Sequence, residues 1–234
     1  MSRSKSQPDE QVLDEALAIV HSSGAGRLTF AALAGRCGLS AATLVQRFGT
    51  KPELVQRTLL HAWDRLQART LELASSVPKT PDGAVELLIG LSHHDGTVED
   101  FAEGLLVLRE DLRDPVLRGR GAAWEATLTT AISECFASVP GAPGGIGFAL
   151  AAHWQGALIW WAFSAQHPLD DHLSETLRTL IAMLLHPAPP TPETSSGASR
   201  VNRFSISRHN KHGTANSAGA AEEDKESSAP TGGY

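Results

Sequence analysis

Residues 29–51, TFAALAGRCGLSAATLVQRFGTK, decide the fold. Two short apolar periodicities meet here at one glycine. Phe30, Leu33, Ala34 and Cys37 fall on one face of a first helix, and Leu39, Leu44 and Phe48 on one face of a second. Gly38 lies between them, where a tight turn needs a residue free to take positive φ. Ala34 is small enough to let two helices approach, Gly38 turns the corner, and Leu44 plugs the crossing. That is the spacing of a helix-turn-helix. It predicts that the second helix, over residues 40–48, enters the major groove of DNA.

Working outward, Val12, Leu13, Ala16, Leu17 and Val20 predict a helix over 11–21. Thr29 and Ser40 are placed to cap the two helices of the motif. Gly49 ends the second of them. Thr50 and Glu53 have capping-box spacing, with Pro52 tolerated in the first turn of the next helix. That helix is expected to reach residue 75, with Leu54, Val55, Leu59, Trp63 and Leu66 facing inward, and to act as a strut.

Further helices are expected over 84–91, 98–113, 146–166 and 169–185. Asp114-Pro115 reads as an N-cap with proline in the first turn of another, whose face carries Leu117, Gly121, Trp124, Leu128, Ile132, Cys135 and Phe136. No alternating strand pattern occurs, so the fold class is all-α. From 188 to 234 the chain is rich in Pro, Ser, Gly, Ala and Thr, and it cannot bury enough surface to offset its ordering entropy. The expected organisation is a disordered arm at 1–8, a DNA-binding domain at 9–56, an effector-binding and dimerisation domain at 57–187, and a disordered tail.

The chain has 234 residues, 41% of them hydrophobic, which excludes wholesale disorder. Its net charge is −6, but residues 24–57 carry Arg27, Arg36, Arg47, Lys51 and Arg57 against Glu53, a local balance of +4. Phosphates respond to the local patch. The two cysteines match no metal or redox spacing and read as buried thiols in a reducing cytosol. The polar N-terminus does not resemble a signal peptide, so a cytoplasmic location is expected. Residues 146–166 contain no charged side chain, yet they hold His153, Gln155 and Gln166 and lack basic flanks, which favours a buried helix over a membrane span. His93-His94-Asp95 lacks a second ligand pair at helical spacing, so no metal or other cofactor is expected. No phosphate loop, nucleophile elbow or paired metal motif is present, which argues against an enzyme.

The segment VLDEALAIVHSSGAGRLTFAALAGRCGLSAATLVQRFGTKPELV resembles the tetracycline-repressor (TetR) family of bacterial transcription regulators. Gly38, Leu39-Ser40, Thr43-Leu44, Phe48 and Lys51 stand where that family has its Gly, aliphatic-Ser, Thr-Leu, Phe and Lys. The resemblance implies three N-terminal helices followed by a larger helical domain that binds an effector and dimerises through its last two helices. The chain departs from the family pattern at Val45, Gln46 and Arg47, where aromatic or His residues are common, and at Ala41, where Lys or Arg is common. An aromatic phosphate contact is therefore not expected, and Arg47 is expected to replace it with a charged one.

With Leu39, Leu44 and Phe48 inward, the helix exposes Ala42, Thr43 and Gln46. Gln46 can read adenine, while Ala42 and the Thr43 methyl can meet a thymine methyl. Ser40 and Thr43 suit phosphate oxygens at a helix N-terminus, Arg47 and Lys51 are expected as phosphate clamps, and Thr29 and Ala41 complete the interface. The resemblance implies an effector pocket among the middle helices, for which Phe101, Leu105, Trp124, Leu128, His153 and Trp154 are candidates for an apolar or aromatic small molecule. The homodimer interface is expected at Trp160, Trp161, Leu173, Leu177, Leu180 and Leu184. The functional expectation is a dimeric repressor on a palindromic double-stranded DNA operator, released by a small molecule. The alternative is a helical interaction or small-molecule-binding protein with a degenerate helix-turn-helix.

Overall fold

The computed structural model describes residues 7–92 and 97–185. Among them the chain forms nine α-helices and no strand: α1 (Asp9–Ser23), α2 (Phe30–Cys37), α3 (Ala41–Phe48), α4 (Lys51–Ser76), α5 (Pro81–Ser92), α6 (Val98–Arg113), α7 (Pro115–Glu134), α8 (Ile146–Ser164) and α9 (Leu169–Leu185). A 3-10 turn, Ala25–Arg27, joins α1 to α2. The all-α class is the observed one. The 188–234 tail, residues 1–6 of the arm and His93-His94-Asp95 lie outside the described residues.

The helix starts are set by local chemistry. The Thr29 side chain accepts from Ala32 N at 3.1 Å, and Ser40 accepts from Thr43 N at 3.0 Å. Thr50 and Glu53 cap each other reciprocally, and Asp114 accepts from Val116 N at 2.7 Å. Gly38 closes α2 in the left-handed conformation, φ 64°, as the turn requires.

Several boundaries differ from expectation, three of them for a clear local reason. α1 begins at Asp9 because Asp9 and Glu10 in its first turn suit the positive helix end. α5 begins three residues early, since Thr80 Oγ1 accepts from Gly83 N at 3.2 Å and Pro81 occupies the first turn. α8 stops at Ser164, where Ala165 turns left-handed and donates to Trp161 O at 2.7 Å.

Two apolar clusters hold the helices. The first joins Val12, Ala16 and Val20 of α1 to Leu33, Leu44, Phe48, Leu54 and Leu59, and it takes in Leu117 of α7. The second joins α5, α7, α8 and α9 with Ala74 near the end of α4. Half-buried Trp63 of α4 packs against both. α7 and α8 approach so closely at Gly147 that a Cβ there would collide with the Thr129 carbonyl oxygen and Ser133 Oγ. No helix among the described residues is long and apolar enough to cross a membrane. α8 instead buries Ile146, Leu150, Trp154 and Trp161.

Candidate nucleic-acid interface and ligand cleft

α3 is positioned from its buried side. Leu44 is fully buried and Phe48 nearly so, which turns Ala41, Ala42, Thr43, Val45 and Gln46 outward. The Thr43 and Ser40 hydroxyls are hydrogen-bonded to each other at 2.8 Å, leaving the Thr43 methyl as that residue's outward feature. Among the described residues the Gln46 side chain has no hydrogen-bond partner, so its amide is available on this face. Lys51 Nζ donates to Gly26 O at 2.8 Å, which ties the start of α4 to the turn before α2. Thr29 is exposed, with its oxygen used as a cap.

The cations are arranged differently from a bare basic patch. Arg47 Nε donates to Asp9 Oδ1 at 2.9 Å and its Nη2 to Gln7 O at 2.8 Å, so the unbound chain does not hold Arg47 as an open phosphate clamp. Arg57 Nη2 reaches the other Asp9 oxygen at 3.1 Å. Both guanidinium groups lie over the Phe48 ring, at 5.5 and 4.6 Å from its centroid. Hydrogen bonding from Arg47, backed by Arg57, holds the Asp9 carboxyl below its ordinary range. Arg36 pairs with Glu15 at 2.7 Å. The +4 segment thus meets two α1 carboxylates, which lower its balance to +2. Sequence reasoning counted Arg57 in the basic patch but missed Asp9 and Glu15 as its partners, because nothing local signals ion pairs 21 to 48 residues apart.

Of the six expected ligand residues, the structure brings together three. Trp124, Leu128 and Trp154 are buried in the core, where the indole N–H of Trp124 donates to Thr70 Oγ1 at 2.9 Å and that of Trp154 to Ser92 Oγ at 2.7 Å. Leu105 is exposed and Phe101 half-buried. His153 is half-buried, its Nε2 buried without a hydrogen-bond partner among the described residues. None of the six lines a cleft of about 860 Å³ bounded by α1, α4, α5 and α6. Leu17, Leu59, Leu66 and Leu91 form apolar walls there, and Trp63 and Asp111 meet in it, with Trp63 Nε1 donating to Asp111 Oδ1 at 3.1 Å. Periodicity marks Trp63 as inward-facing but cannot show that a cleft opens beside it.

The expected dimer set also divides. Leu173 and Leu177 belong to the monomer core, as does Trp161, whose indole donates to His167 O at 3.0 Å. Leu180 and Leu184 are half-buried against the same core. Trp160 is 70% exposed and stacks with Phe163, itself 80% exposed, at 5.8 Å between ring centroids. Phe148 and Ile159 of α8 and Met183 of α9 are exposed too. Among the described residues no cluster of three or more His, Cys, Asp or Glu could hold a metal. Burial raises the thiols of both Cys37 and Cys135, so neither is activated.

Residues 12–58 match the sequence profile of a family described as bacterial regulatory proteins, tetR family. No curated protein sequence matches the chain. Solved structures share the fold. A transcriptional regulator from Rhodococcus sp. Rha1 is 20% identical with a TM-score of 0.61, over 77% of this chain and 97% of that one. A TetR-family regulator from Mesorhizobium loti is 18% identical with a TM-score of 0.56, over 75% and 95%. A regulator from Saccharomonospora viridis, solved with choline, is 16% identical with a TM-score of 0.58, over 74% and 95%.

Proposed function

We propose that the chain, which through residues 12–58 belongs to the tetR family of bacterial regulatory proteins, is a dimeric, ligand-responsive repressor of transcription in the cytoplasm. The observation that carries this reading is α3: a helix capped by Ser40, anchored by buried Leu44 and Phe48, presenting Ala42, Thr43 and the Gln46 amide outward. Ala41, Lys51 and Thr29 flank that face, and Arg47 stands beside it, held back by Asp9. Helices α1–α3 with the start of α4 form the reading domain, and residues 57–187 the sensing and pairing domain.

One recognition helix meets too few base pairs for useful specificity, so two copies on a palindrome are required. The exposed aromatic face of α8 around Trp160 and Phe163, beside Met183 of α9, supports pairing through the last two helices. The choline complex of the Saccharomonospora viridis protein supports a small organic effector. α4 is the lever: the capping box ties its start to the turn after α3, and along its contact with α7 Gln56 Nε2 donates to Asp114, Arg120 to Asp64, Gln67 Nε2 to Thr127 and Trp124 Nε1 to Thr70. A ligand that favours the unbound arrangement weakens DNA binding reciprocally, and a tenfold release needs ~1.4 kcal/mol of differential affinity. No enzymatic step is part of this reading.

A second reading, a helical small-molecule-binding protein whose helix-turn-helix no longer engages DNA, is favoured by the pairing of Arg36, Arg47 and Arg57 with α1 carboxylates. Selection of bound DNA from a random-sequence pool separates the two. A palindrome with two half-sites supports the repressor; the absence of any enriched palindrome leaves the second reading.

A further inference from the structure

The cleft between α1, α4, α5 and α6 contains a group that packing alone does not explain. Asp111 is 8% exposed, and its hydrogen bond from the Trp63 indole is that of a neutral donor. No Lys, Arg or His pairs with it among the described residues. The neighbouring charges are otherwise engaged. Asp14 pairs with Arg65 at 2.6 Å and bonds His61 at 2.9 Å, and Arg69 pairs with Glu72 at 3.0 Å. Burial above all, with the negative charges of Asp114 and Glu110 behind it, pushes the Asp111 carboxyl above the ordinary range against the hydrogen bond from Trp63.

A desolvated carboxylate without a counter-ion is costly, and a cation brought to it removes the cost. Leu17, Leu59, Leu66 and Leu91 give the cleft an apolar wall, with the Trp63 indole beside the carboxylate, and Asp14, His21, Arg65 and Arg69 also line it. Aromatic faces attract cations, most strongly when water is excluded. We propose that this cleft binds an organic monocation, with Asp111 as counter-charge and Trp63 as aromatic wall. A volume of about 860 Å³ admits a drug-sized molecule. As the effector site, this rests on the ligand-responsive reading above. Because α1 supplies Leu17 and Ala18 to the wall, a bound cation touches a helix that also carries the carboxylates facing α2 and α3.

The test titrates phenyltrimethylammonium and its uncharged isostere tert-butylbenzene into the full chain and into Asp111→Asn, followed by ligand-observed NMR. Asparagine keeps an acceptor for Trp63 and removes the charge. The expected result is at least tenfold tighter binding of the cation than of the isostere by the natural chain, and loss of that preference in Asp111→Asn. Equal binding of the two probes, no saturable binding of either, or an undiminished preference in Asp111→Asn overturns the proposal. The natural-chain comparison stands without any variant. Selection of DNA by the unliganded chain is measured alongside: a palindrome without cation binding overturns the site and leaves the regulator, and cation binding without a palindrome does the reverse.

Discussion

Replacing Asp9 by Asn tests whether the acidic start of α1 restrains the DNA surface. Asp9 pairs with Arg47 and Arg57 together, through bonds at 2.9 and 3.1 Å on a carboxylate whose side chain is 47% exposed. At that exposure the pairs are worth at most about 1 kcal/mol of stability, so the fold should survive the change. Binding should respond more. Each phosphate newly contacted adds about 0.9 to the steepness of log K against log salt. If Arg47 of each subunit in a dimer gains one phosphate, the slope steepens by about 1.8, and over a fourfold rise in salt the variant loses about tenfold more affinity than the natural chain. Fluorescence anisotropy on the selected duplex, from about 50 to about 200 mM salt, reads this directly. The expected variant binds more tightly at the low end and has the steeper slope. An unchanged slope with weaker binding would refute the reasoning and make Asp9 a group that positions Arg47 for DNA.

Gln46→Ala should cost ~1–3 kcal/mol on the selected site and relax preference at one base pair, seen by repeating the selection with the variant. Trp160→Glu, on an exposed position, should leave thermal unfolding of the monomer unchanged and shift sedimentation from dimer to monomer; a persistent dimer would move the interface elsewhere. Asp111 titrates above its unfolded range, so the folded state holds a proton that the unfolded state has released, and stability falls as pH rises through that window. Asp111→Asn should therefore raise the melting temperature at neutral pH, with the gain vanishing in acid, where both states carry a protonated carboxyl.

The caps at Thr29, Ser40, Thr50–Glu53 and Asp114 were legible because each is a contact within three residues. The inward faces of α3 and α7 were legible because a 3.6-residue period survives whenever one side of a helix meets water. Thr80-Pro81 shows a local signal overlooked: it repeats the cap-then-proline pattern of Asp114-Pro115. The faces of α8 resisted reading for a physical reason. A helix apolar all round has no preferred direction, so adjacency placed Trp160 and Trp161 on different sides without showing that Trp161 caps the core through His167 O while Trp160 faces out. The ligand cleft was illegible because it depends on the spacing between helices distant in sequence. The salt links from α1 were hidden likewise, since Asp9 lies 38 residues from Arg47.

The tryptophans carry one more consequence. Trp63, Trp124 and Trp154 form a tilted stack with centroid spacings of 5.7 and 6.4 Å, and their indole N–H groups are bonded to Asp111, Thr70 and Ser92. Of the five tryptophans, Trp160 is the one that faces water. The molecule therefore has two separable optical signals: blue-shifted emission and coupled near-ultraviolet dichroism from the stack, and red-edge emission from Trp160. Dilution that parts two subunits would brighten the red edge while the dichroism holds still, and a cation seated beside Trp63 would disturb the dichroism while the red edge holds still.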